Sequence, residues 1–271
     1  MRKQLSAGPY LIWMVGFTVI PLILIVYYGL TDKTGAFTLD NILAIAEPQR
    51  MSALIRSLKL SLICTVVCLI LSYPLALILR GMNRGGRNGL MIFIFILPMW
   101  MNFLLRTMAW QVILNKNGLL NLLLSALGLP EQNMMYTNSA IIFGMVYNYL
   151  PFMVLPLYNV LAKIGDDVLE AANDLGANWI QTFCKIIVPL SVPGIISGIT
   201  MVFVPALTTF VISDILGGGM ILLIGNVIEQ EFTFASNWHL GSGLSLILMV
   251  FILLSMCLIA KYDKEGNGTA F

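Results

Sequence analysis

Charge is scarce in this sequence: Asp, Glu, Lys and Arg together make up 10% of its 271 residues, against roughly 25% in an average soluble protein. With 59% of its residues hydrophobic, the chain cannot clothe a core in a water-facing surface. It reads as a membrane protein. The formal net charge is only +2 and no block of Lys and Arg is present, which excludes a nucleic-acid partner. There is one histidine, His239, and the four cysteines, Cys64, Cys68, Cys184 and Cys257, follow neither a zinc nor a disulfide spacing. Three of these cysteines lie in apolar runs, where Cys acts as a small hydrophobe; no metal site is expected. The sequence has no G-x-x-x-x-G-K-[ST] loop, no H-E-x-x-H and no G-x-S-x-G elbow. It therefore offers no usual means of binding ATP and no protease or hydrolase constellation. The chain is expected to be non-catalytic, with no cofactor of its own.

Long apolar runs are abundant. A bilayer core needs about 20 apolar residues as helix, and suitable uncharged runs appear at Pro9–Leu30, Leu60–Leu79, Gly89–Leu105, Ser139–Ala162, Ile186–Ser213 and Leu240–Ala260. The expectation is an all-α polytopic protein of six transmembrane helices. The first run follows Arg2 and Lys3 like a signal peptide, but it is too long for one and lacks a small-x-small cleavage site, so it reads as a retained span. The third run is ambiguous at its end, because "LLRTMAWQVIL" stays apolar past Arg106.

Orientation follows from the basic residues. With the N-terminus cytoplasmic, the inside segments carry Arg2, Lys3, Arg80, Arg84, Arg87, Lys163, Lys185, Lys261 and Lys264, including the compact turn "RGMNRGGR". The outside segments, longer in total, carry Lys33, Arg50, Arg56, Lys59, Arg106 and Lys116. Basic short loops face the cytoplasm, which puts both termini inside. The expected layout is a cytoplasmic N-terminus over 1–8, a transmembrane domain over 9–262 and a cytoplasmic tail over 263–271. Prolines gather in the fourth span (Pro151, Pro156) and the fifth (Pro189, Pro193, Pro205), where each removes a backbone donor and favours a kink. No internal repeat is evident, which counts against a transporter built from duplicated halves.

Between the fourth and fifth spans lies "EAANDLGANWIQTFCKIIVP", residues 170–189, patterned and partly charged. Asp167 with Glu170 spells a D-x-x-E capping box, Gly176 is suited to a left-handed helix stop, and Asn178 with Gln181 repeats the capping pattern. The segment predicts a short helix, a Gly turn and a second helix starting near Trp179. Leu169, Ala172, Leu175 and Trp179 make an apolar stripe on it, too large for a mere connection, so a docking partner is expected over residues 163–185.

Glu170, Ala171, Ala172, Gly176, Ile186 and Pro189 stand at the spacing of the EAA motif, with Val188 where Leu is usual. In this the chain resembles permease subunits of bacterial ATP-binding-cassette importers, and residues from about 57 to 262 would form the family core. Further stretches, "LPMWMNFLLRTMAW", "LPFMVLPLY", "VPLSVPGIISG" and "SDILGGGMILLIGNVIEQEF", are similar to permeases of the spermidine/putrescine branch. The resemblance implies a type I importer permease (MetI-like) fold in the bacterial inner membrane. It also implies a second homologous permease, two ATPase subunits that bind ATP and Mg, and an extracytoplasmic polyamine-binding protein. Glu170, Ala171, Ala172, Gly176 and Pro189 would couple the chain to the ATPase. An importer for another small solute and an ion-coupled secondary transporter remain the alternatives.

A polyamine route calls for carboxylates and aromatic faces. Asp214, at the outer end of the fifth span, is the first candidate, followed by Glu229, with Glu231 read as a solvated loop carboxylate. Among the aromatics, Tyr147, Trp100 and Phe210 are the candidates, beside Trp110 and Tyr149, which equally suit interfacial belts or packing. Arg106 is awkward on a cation route, and a buried pair with Asp214 would neutralise it. Gly217–Gly219 with the apolar run after it reads either as a gate at the outer mouth or as an ordinary turn.

Overall fold

The structure is a computed structural model that describes residues 8–83 and 97–267. Nearly all of it is helix, because a chain in lipid must satisfy its backbone groups internally. Among the described residues the sole strand-like pairing is one bridge from Thr31 to Phe37. Helices α1 (Gly8–Met14) and α2 (Ile20–Gly29) join through a π turn, Val15–Val19. After α3 (Asp40–Leu43) comes α4 (Pro48–Asn83), 36 residues long. Two short helices, α5 (Phe103–Leu114) and α6 (Leu119–Ala126), precede the long α7 (Asn138–Leu161). The chain continues through α8 (Asp166–Asp174), α9 (Trp179–Thr182) and α10 (Val188–Thr208), then α11 (Val211–Gly217), α12 (Ile224–Thr233) and α13 (Trp238–Asn267).

Five helical segments among the described residues are long and apolar enough to cross a bilayer: Ile12–Gly29, Pro48–Met82, Asn138–Leu161, Trp179–Thr208 and Trp238–Cys257. They match the first, second, fourth, fifth and sixth expected spans. The third expected span, Gly89–Leu105, falls largely on 84–96, outside the described residues; its remainder is a 3-10 turn, Leu97–Trp100, and the start of α5. Two boundaries differ from expectation. The helix holding the second span begins at Pro48, so Arg50, Arg56 and Lys59 are helical rather than in a loop. The fifth span ends at Thr208 instead of Ser213, because Thr209 turns extended and α11 starts as a separate helix.

Helices α4, α7 and α10 form the centre, with Cys64 and Cys68 from α4, Met145, Met153 and Leu157 from α7, and Val202 and Ala206 from α10 in one buried cluster. Helix α10 approaches α7 closely through Gly194 and Gly198, spaced as G-x-x-x-G. A Cβ at Gly194 would stand 3.0 Å from the Pro156 carbonyl, and one at Gly198 would press on Met153. Without a hydrophobic drive between helices in lipid, such close backbone approach supplies much of the packing energy. The Tyr73 and Ser191 hydroxyls, 2.7 Å apart, tie α4 to α10.

Both π turns lie just ahead of a proline, Pro21 and Pro189. A proline leaves the carbonyl four residues back without its donor, and a widened preceding turn lets the helix run on. As a result, Trp179–Thr208 is a single rod of 30 residues. Its α10 portion alone spans about 30 Å at 1.5 Å per residue, which places α8–α9 and α11–α12 at opposite ends of the bundle.

Candidate functional site

At the first end, Arg80 of α4 donates through Nη2 to the Ile164 carbonyl at 2.8 Å and to Asp166 Oδ1 at 3.3 Å, pinning the start of α8. Asp167 is not the cap that its D-x-x-E spacing suggested. The cap position is Gly165, and Asp166 and Asp167 both lie in the first turn, where their charge complements the helix dipole. Helix α8 stops as expected: Gly176 has φ of +79°. Its N–H bonds the Asn173 carbonyl at 2.9 Å, and the Ala177 N–H reaches back to Ala172 at 3.0 Å, forming a Schellman stop. Asn178 and Gln181 then exchange backbone and side-chain bonds of 2.9 Å each, starting α9.

This builds a knob with two faces. Ala172 is buried and Leu169 partly so, whereas Leu175, Trp179 and Ile180 are 88%, 70% and 66% exposed. The expected stripe is thus split between packing and presentation. Glu170, Ala171 and Pro189 are exposed as well, and Glu170 lines a hollow of about 620 Å³ with Arg80, Leu169 and Trp179. Trp179 stacks on Phe183 at 5.3 Å, and Phe183 meets Tyr73 edge-on at 5.4 Å. Stacking thereby links the knob to α4.

At the other end, Gly217, Gly218 and Gly219 close α11. Gly218 has φ of +60°, and the Tyr136 ring occupies the space of a would-be Cβ. The turn leads into α12, whose first N–H groups are taken up by tertiary contacts: Ile224 donates to Ser57 Oγ of α4 at 2.8 Å. Sequence reasoning missed Asn226, the centre of this end. It is buried, and its Nδ2 donates to Asp214 Oδ1 at 2.6 Å and to the Phe210 carbonyl at 3.1 Å. Its Oδ1 accepts from Ser213 Oγ at 2.6 Å and from the Leu223 N–H at 3.0 Å. The available signal was a lone amide in the run "MILLIGNVI".

Asp214 lies on α11, beyond the spanning segment, and its side chain is accessible. Partial burial raises its carboxyl above the ordinary range and the charge of Glu229 pushes the same way, while the Asn226 bond opposes both. Phe210 and Glu229 line an apolar trough of about 530 Å³ between α10, α12 and α13, with Phe232, Leu248 and Ile252. Two of the expected residues, Phe210 and Asp214, therefore meet on Asn226, and Glu229 follows it by three residues on α12.

Tyr147 and Trp100 belong elsewhere. Arg106, 7% exposed, stands 5.6 Å over the Tyr147 ring, donates from Nε to Asn148 Oδ1 at 2.8 Å and from Nη1 to the Pro98 carbonyl at 2.7 Å. The expected ion pair with Asp214 does not form, because neutral oxygens and an aromatic face solvate the guanidinium instead and Asn226 engages Asp214. Trp100 projects from the turn that holds Pro98, 80% exposed. Trp110 packs edge-on against Phe143 and Tyr147, and the buried Tyr149 bonds the Pro205 carbonyl at 3.3 Å. Glu231 is no solvated loop carboxylate: it sits on α12, 3.6 Å from Arg50, which also pairs with Glu47. Among the described residues no group of three or more His, Cys, Asp or Glu is placed to hold a metal.

Comparison with known proteins agrees with this architecture. The family described as "Binding-protein-dependent transport system inner membrane component" matches residues 69–264. The spermidine/putrescine transport system permease protein PotB of Escherichia coli K12 is 39% identical over 263 residues, covering 94% of this chain and 95% of that protein. PotB of Haemophilus influenzae is 36% identical, covering 94% and 92%. Among solved structures, a bacterial ABC transporter involved in import of the acidic polysaccharide alginate superposes with a TM-score of 0.81 at 18% identity, covering 97% of this chain and 96% of that one. The same kind of transporter in complex with its pentasaccharide-bound periplasmic protein gives 0.79 at 16% identity, over 94% and 91%. These likenesses establish the fold.

Proposed function

The chain belongs to the family of inner-membrane components of binding-protein-dependent transport systems, and on that footing we propose that it is the B-type permease subunit of an ATP-driven importer for spermidine and putrescine. The observation that carries the mechanism is the unbroken rod Trp179–Thr208, with an exposed knob at one end and the Phe210–Asp214–Asn226 cluster just past the other.

In this reading α8 and α9 seat in an ATPase subunit on the cytoplasmic side, which puts both chain termini on that side as well. Leu175, Trp179 and Ile180 supply apolar contact, and Glu170, Ala171, Ala172 and Gly176 set the shape of the knob. Two ATPase subunits bind ATP and Mg and carry out the hydrolysis; this chain does no chemistry on the nucleotide. Closure of those subunits pushes α9, and the π turn ahead of Pro189 passes the displacement into α10. A continuous helix can carry a displacement from one of its ends to the other. The far end then shifts the α11–α12 hairpin against α4.

The solute is a flexible methylene chain with two or more ammonium groups. Asp214 and Glu229 attract the charges, while Phe210 and the trough walls accept the methylenes. Trp100, exposed on the turn that holds Pro98, would contribute an aromatic face, whereas the Tyr147 ring already carries the Arg106 guanidinium. A homologous second permease completes the pathway, and a periplasmic binding protein delivers the solute to the α11–α12 end.

The decisive measurement is energised uptake of labelled spermidine and putrescine in cells that lack this chain but keep its companion subunits, with the chain restored or left out. The expected result is uptake that depends on the chain and is competed by unlabelled polyamine. Absence of any dependence, with the protein confirmed in the membrane, would overturn the polyamine assignment. Uptake that persists without the ATPase subunits and collapses directly with an uncoupler would reassign the chain to ion-coupled transport.

A further inference from the structure

Asn226 is 1% exposed, and it uses every hydrogen-bonding position that an amide has. Its oxygen accepts two bonds, from Ser213 and the Leu223 N–H, and its nitrogen donates two, to the Phe210 carbonyl and Asp214. The two acceptors facing Nδ2 fix the orientation of the amide, since a flipped oxygen would meet a carbonyl and a carboxylate. Glu229 follows Asn226 by three residues on α12 and so shares its side of the helix. Glu229 also lines the trough together with Phe210, whose carbonyl the same amide holds.

One buried amide thus fixes the start of α11, the start of α12 and one oxygen of Asp214. We propose that Asn226 is a positioning residue that holds Asp214 so that its carboxylate and that of Glu229 act as one paired site beside the apolar trough, for a solute with two ammonium groups joined by methylenes. The proposal rests on the reading of the chain as a polyamine permease. The Asp214 carboxyl, raised first by its partial burial, is raised further by the Glu229 charge, which puts the two carboxylates within electrostatic reach. A fixed pair gains most from two tethered cations, because the second ammonium binds at the high effective concentration set by the first. Monovalent cations lack that gain.

The test uses the complete transporter in proteoliposomes with its binding protein loaded with spermidine. Asn226→Asp keeps the size of the side chain and the oxygen that serves Ser213 and Leu223, but turns the donor into an oxygen that repels Asp214. Substrate carried per ATP hydrolysed should fall about tenfold while stimulated ATP hydrolysis stays within about twofold, the signature of lost positioning rather than lost structure. The exchange Asp214→Asn with Asn226→Asp returns a donor and an acceptor to the pair but buries the negative charge. Coupling should still be low while the complex assembles to the level of the unaltered transporter, and this variant carries the test should the single variant fail to assemble. A second readout needs no substrate: carbodiimide labelling of Asp214 with an amine nucleophile should speed up several-fold in Asn226→Asp as the carboxylate is expelled.

Unchanged labelling, or unchanged substrate per ATP, would overturn the proposal. Failure of the exchange variant to assemble in the membrane would reduce Asn226 to a structural residue. If the unaltered transporter moves no polyamine, the substrate reading fails separately, and the labelling rate still decides whether Asn226 positions Asp214.

Discussion

At the α8–α9 end, order comes from near neighbours in the chain: the Schellman stop spans Ala172 to Ala177, and the capping box spans Asn178 to Gln181. At the α11–α12 end, order comes from residues brought together across the fold: Ser57 reaches Ile224, Asn226 reaches Phe210 and Asp214, and Arg50 reaches Glu231. The difference follows from solvent. An exposed knob can leave remaining polar groups to water and needs only stiffness, which caps supply. The buried start of α12 has no water to fall back on, so the donors of Leu223, Ile224 and Asn226 must find protein acceptors.

Substitutions can break this contrast. The largest effect is expected from Gly176→Asp, which should abolish uptake while leaving the protein in the membrane. No atom lies within 4 Å of a Cβ there, so internal clash is absent, and the loss would come from the left-handed backbone, about 1–2 kcal/mol, and from altered docking. Gly176→Asn tolerates that backbone better and should retain measurable uptake; equal loss in both would show that docking alone is sensitive.

Next comes Arg106→Glu, which places a carboxylate against Asn148 Oδ1 and the Pro98 carbonyl and should cost about 3 kcal/mol or more in the folded bundle. Membrane-extracted protein should unfold at visibly lower denaturant or temperature. Adding Asp214→Arg should bring no relief, since the two side chains are not paired; a milder double variant would contradict the Asn226–Asp214 arrangement.

Asp214→Asn should lower uptake about tenfold with little change in abundance, because it removes one negative charge from an accessible site. Transport and immunoblot read the two separately. A smaller loss is expected from Asn178→Ala, about 1 kcal/mol of cap stability, with uptake down about twofold and hydrogen exchange faster at Trp179–Thr182. Smallest is Glu231→Gln. The Arg50 side chain keeps Glu47 as a partner, and a partly exposed ion pair contributes about 0–1 kcal/mol, so uptake should stay within twofold.

The sequence exposed some features and hid others for identifiable reasons. Helix existence was legible wherever apolar runs were long, and Gly176 and the Asn178–Gln181 box were legible because both depend on contacts within a few residues. Asp167 was misread as a cap because the spacing alone does not show that Arg80 holds Asp166 and lets the helix begin earlier. The Gly194–Gly198 approach was present as "GIISG" but carries meaning only once α7 lies against it. Asn226 was one polar letter in an apolar run, and Arg106 was assigned the wrong partner, since sequence shows a charge and not the neutral groups that solvate it.

By itself, then, the amino-acid order determined the membrane-spanning character, the helical content and the helix–turn–helix knob, all of which rest on composition or on interactions between residues a few positions apart. Only tertiary structure decided that Phe210 and Asp214 meet on one buried amide, that Phe210 shares a trough with Glu229, and that Tyr147 is covered by Arg106. Such groupings depend on helix packing angles and on how each buried donor finds its acceptor. Those are properties of the assembled bundle, with partners tens to hundreds of residues apart.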